Sequence, residues 1–144
     1  MPLVVMMFFL LLGALTLVSA HAADPAQLLV HIDDILKANP LKPDQKVQSI
    51  PIAQDDTISF MVLRVVPGVV LKSHFHKTHN EAVYVIKGTG QMSIDGKWVD
   101  FKPGSLHFNP MNKIHAVKIT GDEPAVVVSI FTPAMKEDDR HFLE

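Results

Sequence analysis

Three histidines and one glutamate carry the chemistry in this 144-residue chain. His74 and His76 stand two residues apart at the end of the apolar run GVVLKSHFH, and Glu81 lies five residues beyond the second. Residues i and i+2 of a strand point to one face, so the two imidazoles converge. A turn through residues 77–80 returns the Glu81 carboxylate toward them. His115, on the short apolar stretch IHAV after a Pro and Asn turn, offers a fourth group. Neutral imidazoles with one carboxylate suit a divalent transition metal, whereas calcium or magnesium takes mostly oxygen. The candidate metal set is therefore His74, His76, Glu81 and His115, and the candidate ions are Fe, Mn, Ni, Co and Zn. The plainer interpretation puts these side chains on solvated strand faces. Two considerations oppose it: the histidines share a face within an apolar strand, and isolated buried imidazoles and carboxylates are costly unless paired or bound.

Other polar residues read more simply. His79 falls in the turn before Glu81 and is expected to be exposed, with a swap into the metal set as the alternative. His107 alternates with Leu106 and Phe108, which leaves the pocket and solvent equally open to it. Tyr84 has the opposite strand parity to Glu81, Val83 and Val85, so it turns away from the site and packs elsewhere. Arg64 interrupts the run ISFMVLRVV and reads as an outward-facing residue, with a substrate carboxylate as the alternative partner. His31, on the N-terminal helix, and His141, in the charged tail KEDDRHFLE, are expected to be bystanders. Ser105, Ser129 and Thr132 stand in no nucleophile motif, so a hydrolytic triad is unsupported.

The elements that must position these groups are mostly strands. From Val47 onward the chain consists of β-branched runs cut by Gly, Pro, Asn and Asp. Strands are expected near 47–53, 57–66, 69–76, 81–87, 90–94, 97–101, 105–109, 114–120 and 124–132. Asp95-Gly96 is a two-residue hairpin signal, and Pro103-Gly104 and Gly121-Asp122 mark further turns. Before them, Asp24-Pro25 followed by AQLLVHIDDILKAN reads as one helix with Asp24 as N-cap. Leu28, Leu29, Ile32, Ile35 and Leu36 would form its packing stripe. One helix and nine short strands predict an all-β sandwich or barrel. Phe60, Val62, Met92, Trp98, Phe108 and Ile130 are candidates for an apolar interior that would suit a small, mostly apolar substrate.

The spacing of the chemical residues resembles the two signatures of the cupin superfamily. Gly68, His74, His76, Glu81 and Gly88 match the first at every defined position, and Gly104, Pro110, Asn112 and His115 follow the second. Asn112 stands where the family usually has Gly; Asn tolerates positive φ best among the other residues, so the same turn is expected. Ile119 stands where the family usually has Asn. The resemblance covers roughly residues 50–133. It implies a double-stranded β-helix, or jelly roll, with the three His and one Glu as metal ligands, and a homodimer, for which the amphipathic helix read above offers a contact. It also implies a small-molecule substrate and a dioxygenase-like or related metal-dependent enzyme. The alternatives are a non-catalytic binder of metal or small ligand and a metal-free cupin of sugar-nucleotide chemistry. The catalytic residues stay unassigned.

Residues 3–18 are almost unbroken Leu, Val, Met and Phe, and Ala20-His21-Ala22 follows. This is the pattern of a secretory signal peptide, and the alternative is an uncleaved anchor. The expected organisation is a signal peptide over 1–22, a helix and linker over 23–46, and a cupin domain over 47–144, in a periplasmic or secreted protein. A net charge of -2 with mixed signs argues against a nucleic-acid partner. Absence of cysteine means that an exported domain does without disulfides. The mature chain should begin at Ala23, which intact-mass measurement of the exported protein checks; a membrane fraction that keeps Met1 would point to an anchor instead.

Overall fold

The computed structural model describes residues 29–135, 137 and 139–143. The signal segment, its cleavage site and the helix start at Asp24 and Pro25 lie outside the described residues. One helix, α1 (Ile32–Ala38), precedes ten strands: β1 (Val47–Gln54), β2 (Ser59–Val65), β3 (Val70–Phe75), β4 (Asn80–Lys87), β5 (Gly90–Ile94), β6 (Lys97–Phe101), β7 (Leu106–Asn109), β8 (His115–Ile119), β9 (Ala125–Thr132) and β10 (His141–Phe142). All nine expected strands form, within two residues at each end. β10 was not expected, because its two residues sit in a run of charges.

The strands form two five-stranded antiparallel sheets, β1-β2-β9-β4-β7 and β10-β3-β8-β5-β6. Apart from the pairs β1-β2 and β5-β6, successive strands pass between the sheets, so β3 and β4, which flank the histidine loop, belong to opposite ones. Turn chemistry fits the tight connections. Asp95 and Gly96 both take positive φ (47° and 83°), as a two-residue hairpin demands. Asn112 takes φ 64°, which supports the expectation that it replaces a glycine in the same turn.

The inner faces grade from apolar to polar along the barrel. At one end Val65, Ile119 and Ala125 form a buried cluster backed by Leu63, Leu71, Phe101 and Val117. At the other end the same strand faces carry His115 on β8, Glu81 on β4 and Phe131 on β9. The fold thus closes itself at one end with hydrophobic burial, its main favourable term, and reserves the other for chemistry.

Two expectations need correction. Among the described residues the helix begins at Ile32, and Leu29 is 74% exposed outside it. The acidic pair Asp33 and Asp34 sits in the first turn, where the helix dipole favours it. No residue of α1 is fully buried, but Ile32, Ile35 and Leu36 of the expected stripe are its half-buried residues and the rest of the helix is exposed. Of the six interior candidates only Met92 lines the cavity. Trp98 and Phe108 are exposed, and Phe60, Val62 and Ile130 have the opposite parity to the lining residues Met61, Leu63 and Phe131. Strands apolar on both faces give no parity signal, which is why sequence reading chose the wrong face. Arg64 faces away from the cavity, where its guanidinium donates to Asn39 O and, at 2.7 Å, to Gln48 Oε1, tying the end of α1 to the sheet. Among the described residues no helix is long and apolar enough to cross a membrane.

Candidate metal centre

His74 lies near the end of β3 and pairs directly with His115 at the start of β8. His76 follows at the head of the loop that leads to the other sheet, and Glu81 faces back from β4. His74, His76 and His115 are buried, and one ring nitrogen of each lies within 4.8 Å of the others. Glu81 Oε2 sits 3.8 Å from His76 Nε2 and 3.6 Å from His115 Nε2. The structure therefore brings all four sequence-predicted residues to one place.

Each imidazole is oriented by its other nitrogen. Nδ1 of His74 lies 2.8 Å from Lys72 O, Nδ1 of His115 lies 2.9 Å from Lys113 O, and Nδ1 of His76 lies 3.3 Å from Asp139 O. A carbonyl oxygen only accepts, so each Nδ1 must be the donor. In the neutral ring that leaves a lone pair on Nε2, and in His115 this atom is buried with no hydrogen-bond partner. Lone pairs of His76 and His115 thus face a carboxylate oxygen, beyond hydrogen-bond distance and with no donor between them. A cation satisfies both sides at once, so these residues fit a divalent metal. Orientation of ligand histidines through the second ring nitrogen is the usual support of such a site.

Sequence reasoning missed two supports. Asn109, 1% exposed, lies opposite Glu81 on β7 and donates from Nδ2 to Glu81 Oε2 at 3.0 Å. His107 donates from Nε2 to Asn109 Oδ1 and lines the cavity, which resolves the choice left open for it. The second support is Asp139. Its Oδ2 accepts from the Lys77 and Thr78 amides, each at 2.7 Å, and from Thr78 Oγ1 at 2.8 Å, while Oδ1 accepts from His141 Nε2 at 2.8 Å. This clasp holds the histidine loop against the C-terminal segment, and β10 pairs His141 and Phe142 with Phe75 and His74.

Two bystander assignments change as a result. His79 is 1% exposed, not a loop-surface residue: its ring lies edge-on to Phe131 at 4.9 Å and 3.6 Å from Asp139 Oδ2. The clasp folds the turn inward over the barrel. His76, His79 and Asp139 are also close enough to group around an ion. Three donors already occupy Asp139 Oδ2, which marks that carboxylate as an anchor for the loop. His141 is part of the clasp and so not the neutral control its charged surroundings suggested. Tyr84 turns outward as its parity required, but it is 46% exposed, not packed.

Behind the imidazoles lies a cavity of about 340 Å³, lined mainly by Val, Leu, Met and Phe, with Met135, Glu137 and Arg140 of the C-terminal segment along its border. A closed antiparallel double sheet with polar groups gathered at one end of such a cavity defines a double-stranded β-helix domain. The chain belongs to the cupin superfamily, whose cupin domain profile matches residues 61–131. Its fold is similar to a protein with a double-stranded β-helix domain from Klebsiella pneumoniae, with a TM-score of 0.63 at 19% identity over 73% of this chain and 89% of that one. In sequence it is similar to glucose-6-phosphate isomerase of Thermococcus onnurineus, 31% identical over 54% of this chain and 48% of the relative. It is also similar to the oxalate decarboxylase OxdC of Bacillus subtilis, 31% identical over 52% of this chain and 21% of the relative. The chain spans about half the length of the first of these relatives and about a fifth of the second.

Burial is the main cause that lowers the pKa of His74, His76 and His115, outweighing the backbone hydrogen bonds and the Glu81 charge that raise it. Burial lowers His107 likewise, against its bond to Asn109. Asp139 moves down for a different reason: burial raises its pKa, but the Thr78, His141 and Lys77 donors outweigh that and hold it below the ordinary carboxylate range. A histidine with a depressed folded pKa contributes stability that is present above its unfolded pKa and is lost as pH falls through the folded one. The metal-free protein should therefore lose roughly 5 °C or more of melting temperature between about pH 7.5 and about pH 5. Asp139, charged throughout that range, contributes none of the loss. A calorimetric pH series checks this, and a flat profile would contradict burial of the neutral imidazoles.

Proposed function

We propose that this chain is an exported single-domain cupin that holds a divalent transition metal through His74, His76, Glu81 and His115 and acts, as a dioxygenase-like or related enzyme, on a small organic molecule in the adjoining cavity. The observation that carries the reading is the convergence of imidazole lone pairs on the Glu81 carboxylate with no proton donor between them. When bound, such an ion polarises a substrate oxygen or, if redox-active, activates dioxygen. The chain's own residues orient the imidazoles through Nδ1, fix the carboxylate through Asn109, and shield the site with a mostly apolar wall. The matched relatives include an isomerase and a decarboxylase, and one fold hosts many reactions, so the reaction class rests on the site alone.

Export and assembly belong to the same proposal. The apolar segment before Ala22 supports a periplasmic or secreted location. Exposed Tyr84, Leu106 and Phe108, neighbours on the outer face at edge strand β7, support a homodimer.

Replacing His76 or His115 by Ala should weaken metal binding roughly ten- to a hundredfold or more. Glu81→Gln, which keeps shape but removes the balancing charge, should lower metal affinity while leaving the melting temperature of the metal-free protein nearly unchanged. His31→Ala should bind as the parent does. Equilibrium dialysis with elemental analysis checks these outcomes. Full metal content in both histidine variants would refute the assignment, and metal retention without turnover on any substrate would fit a binding protein instead.

A further inference from the structure

Among the described residues, and apart from His115 Nε2 at the metal site, the wall of the cavity carries a second polar atom that the fold itself leaves unused. Ser129 on β9 is 1% exposed and borders the cavity, and its hydroxyl has no hydrogen-bond partner. A buried hydroxyl left in that state costs free energy that Ala at the same place would avoid. Strand register gives its position. Ser129 pairs with Val83 on β4, and Val83 pairs with His107 on β7. Glu81 pairs with Phe131 and Asn109 in the next row of the same face. Ser129 therefore lies one strand repeat, roughly 7 Å, deeper in the barrel than Glu81. His107 occupies the same row, with Nε2 committed to Asn109. Its Nδ1 is left as an acceptor and has no hydrogen bond among the described residues.

We propose that Ser129, with His107 two strands away across Val83 in the same row, is a specificity contact of this cavity. It selects a small molecule with an apolar body and an oxygen function at each end. One end, a carboxylate or carbonyl, faces the imidazoles; the other, a hydroxyl, meets Ser129. A hydroxyl suits this place because its oxygen can accept from Ser129 Oγ, which has no partner among the described residues. The inference rests on the reading of the cavity as a substrate site next to a metal, and it adds the chemistry of the far end of the substrate.

Benzoate and 4-hydroxybenzoate, which differ by a single para oxygen, serve as probes. Each is titrated calorimetrically into the full chain and its Ser129→Ala variant, both cobalt-loaded and metal-stripped. The parent should bind 4-hydroxybenzoate roughly five- to tenfold more tightly than benzoate, and Ser129→Ala should bring the two probes together. The variant should melt no lower than the parent, since it removes an unsatisfied group. Equal affinities in the parent, a preference that survives in the variant, or no binding of either probe would overturn the proposal. So would a lower melting temperature in the variant without loss of preference, the sign of a structural water. Failure of the metal reading is distinguishable: the protein would not load cobalt, or stripping would leave both affinities unchanged, while the ratio between probes would still report on Ser129.

Discussion

Everything at the polar end of this barrel depends on where three imidazole protons sit. The carbonyls of Lys72, Lys113 and Asp139 take the Nδ1 protons of His74, His115 and His76. Burial favours the neutral rings, so the lone pairs on Nε2 point to the place that the Glu81 carboxylate also approaches. Without a cation there, acceptors face acceptors in a buried site, an arrangement that costs free energy. With one, as proposed, the same acceptors would serve as its ligands. The stabilisation it gives would add to folding, because the unfolded chain holds no such preformed site.

Holding that arrangement takes the whole domain. The first and second motifs meet in the backbone bond from Asn112 N to His76 O at 2.7 Å, which fixes the histidine loop to the turn before β8. Asp139 then fastens the far side of the loop through three donors, and β10 continues the sheet beyond β3. Glu81 comes from the opposite sheet, positioned by Asn109. The apolar cluster around Val65, Ile119 and Ala125 supplies stability at a distance, leaving the other end free to carry polar groups that contribute little to folding.

Much of this was legible in the sequence, for identifiable reasons. Strand boundaries followed from β-branched runs and from turn residues with local requirements, such as Asp95, Gly96 and Asn112. The convergence of His74 and His76 followed from strand periodicity. What could not be read were choices made by partners far away in the chain. Asp139 looked like one acid among several in KEDDRHFLE, yet its partners lie 61 to 62 residues earlier. His79 looked like a turn residue because nothing local shows the lid that the C-terminal segment makes over it. Phe60, Val62 and Ile130 were placed on the wrong face because both faces of their strands are apolar. Asn109 had no signal beyond its strand parity with His107, and its value as a support for Glu81 appears only in the register of β4 with β7.

The central claim is that imidazole nitrogens from both motifs, with the Glu81 carboxylate, surround one ion. X-ray absorption at the metal edge of the cobalt-loaded full chain tests it most directly, compared with the His115→Ala variant at equal metal occupancy. A shell of nitrogen and oxygen with clear imidazole scattering, weaker in the variant, is the result the proposal predicts. A shell of oxygen alone, or imidazole scattering that His115→Ala leaves untouched, would contradict it.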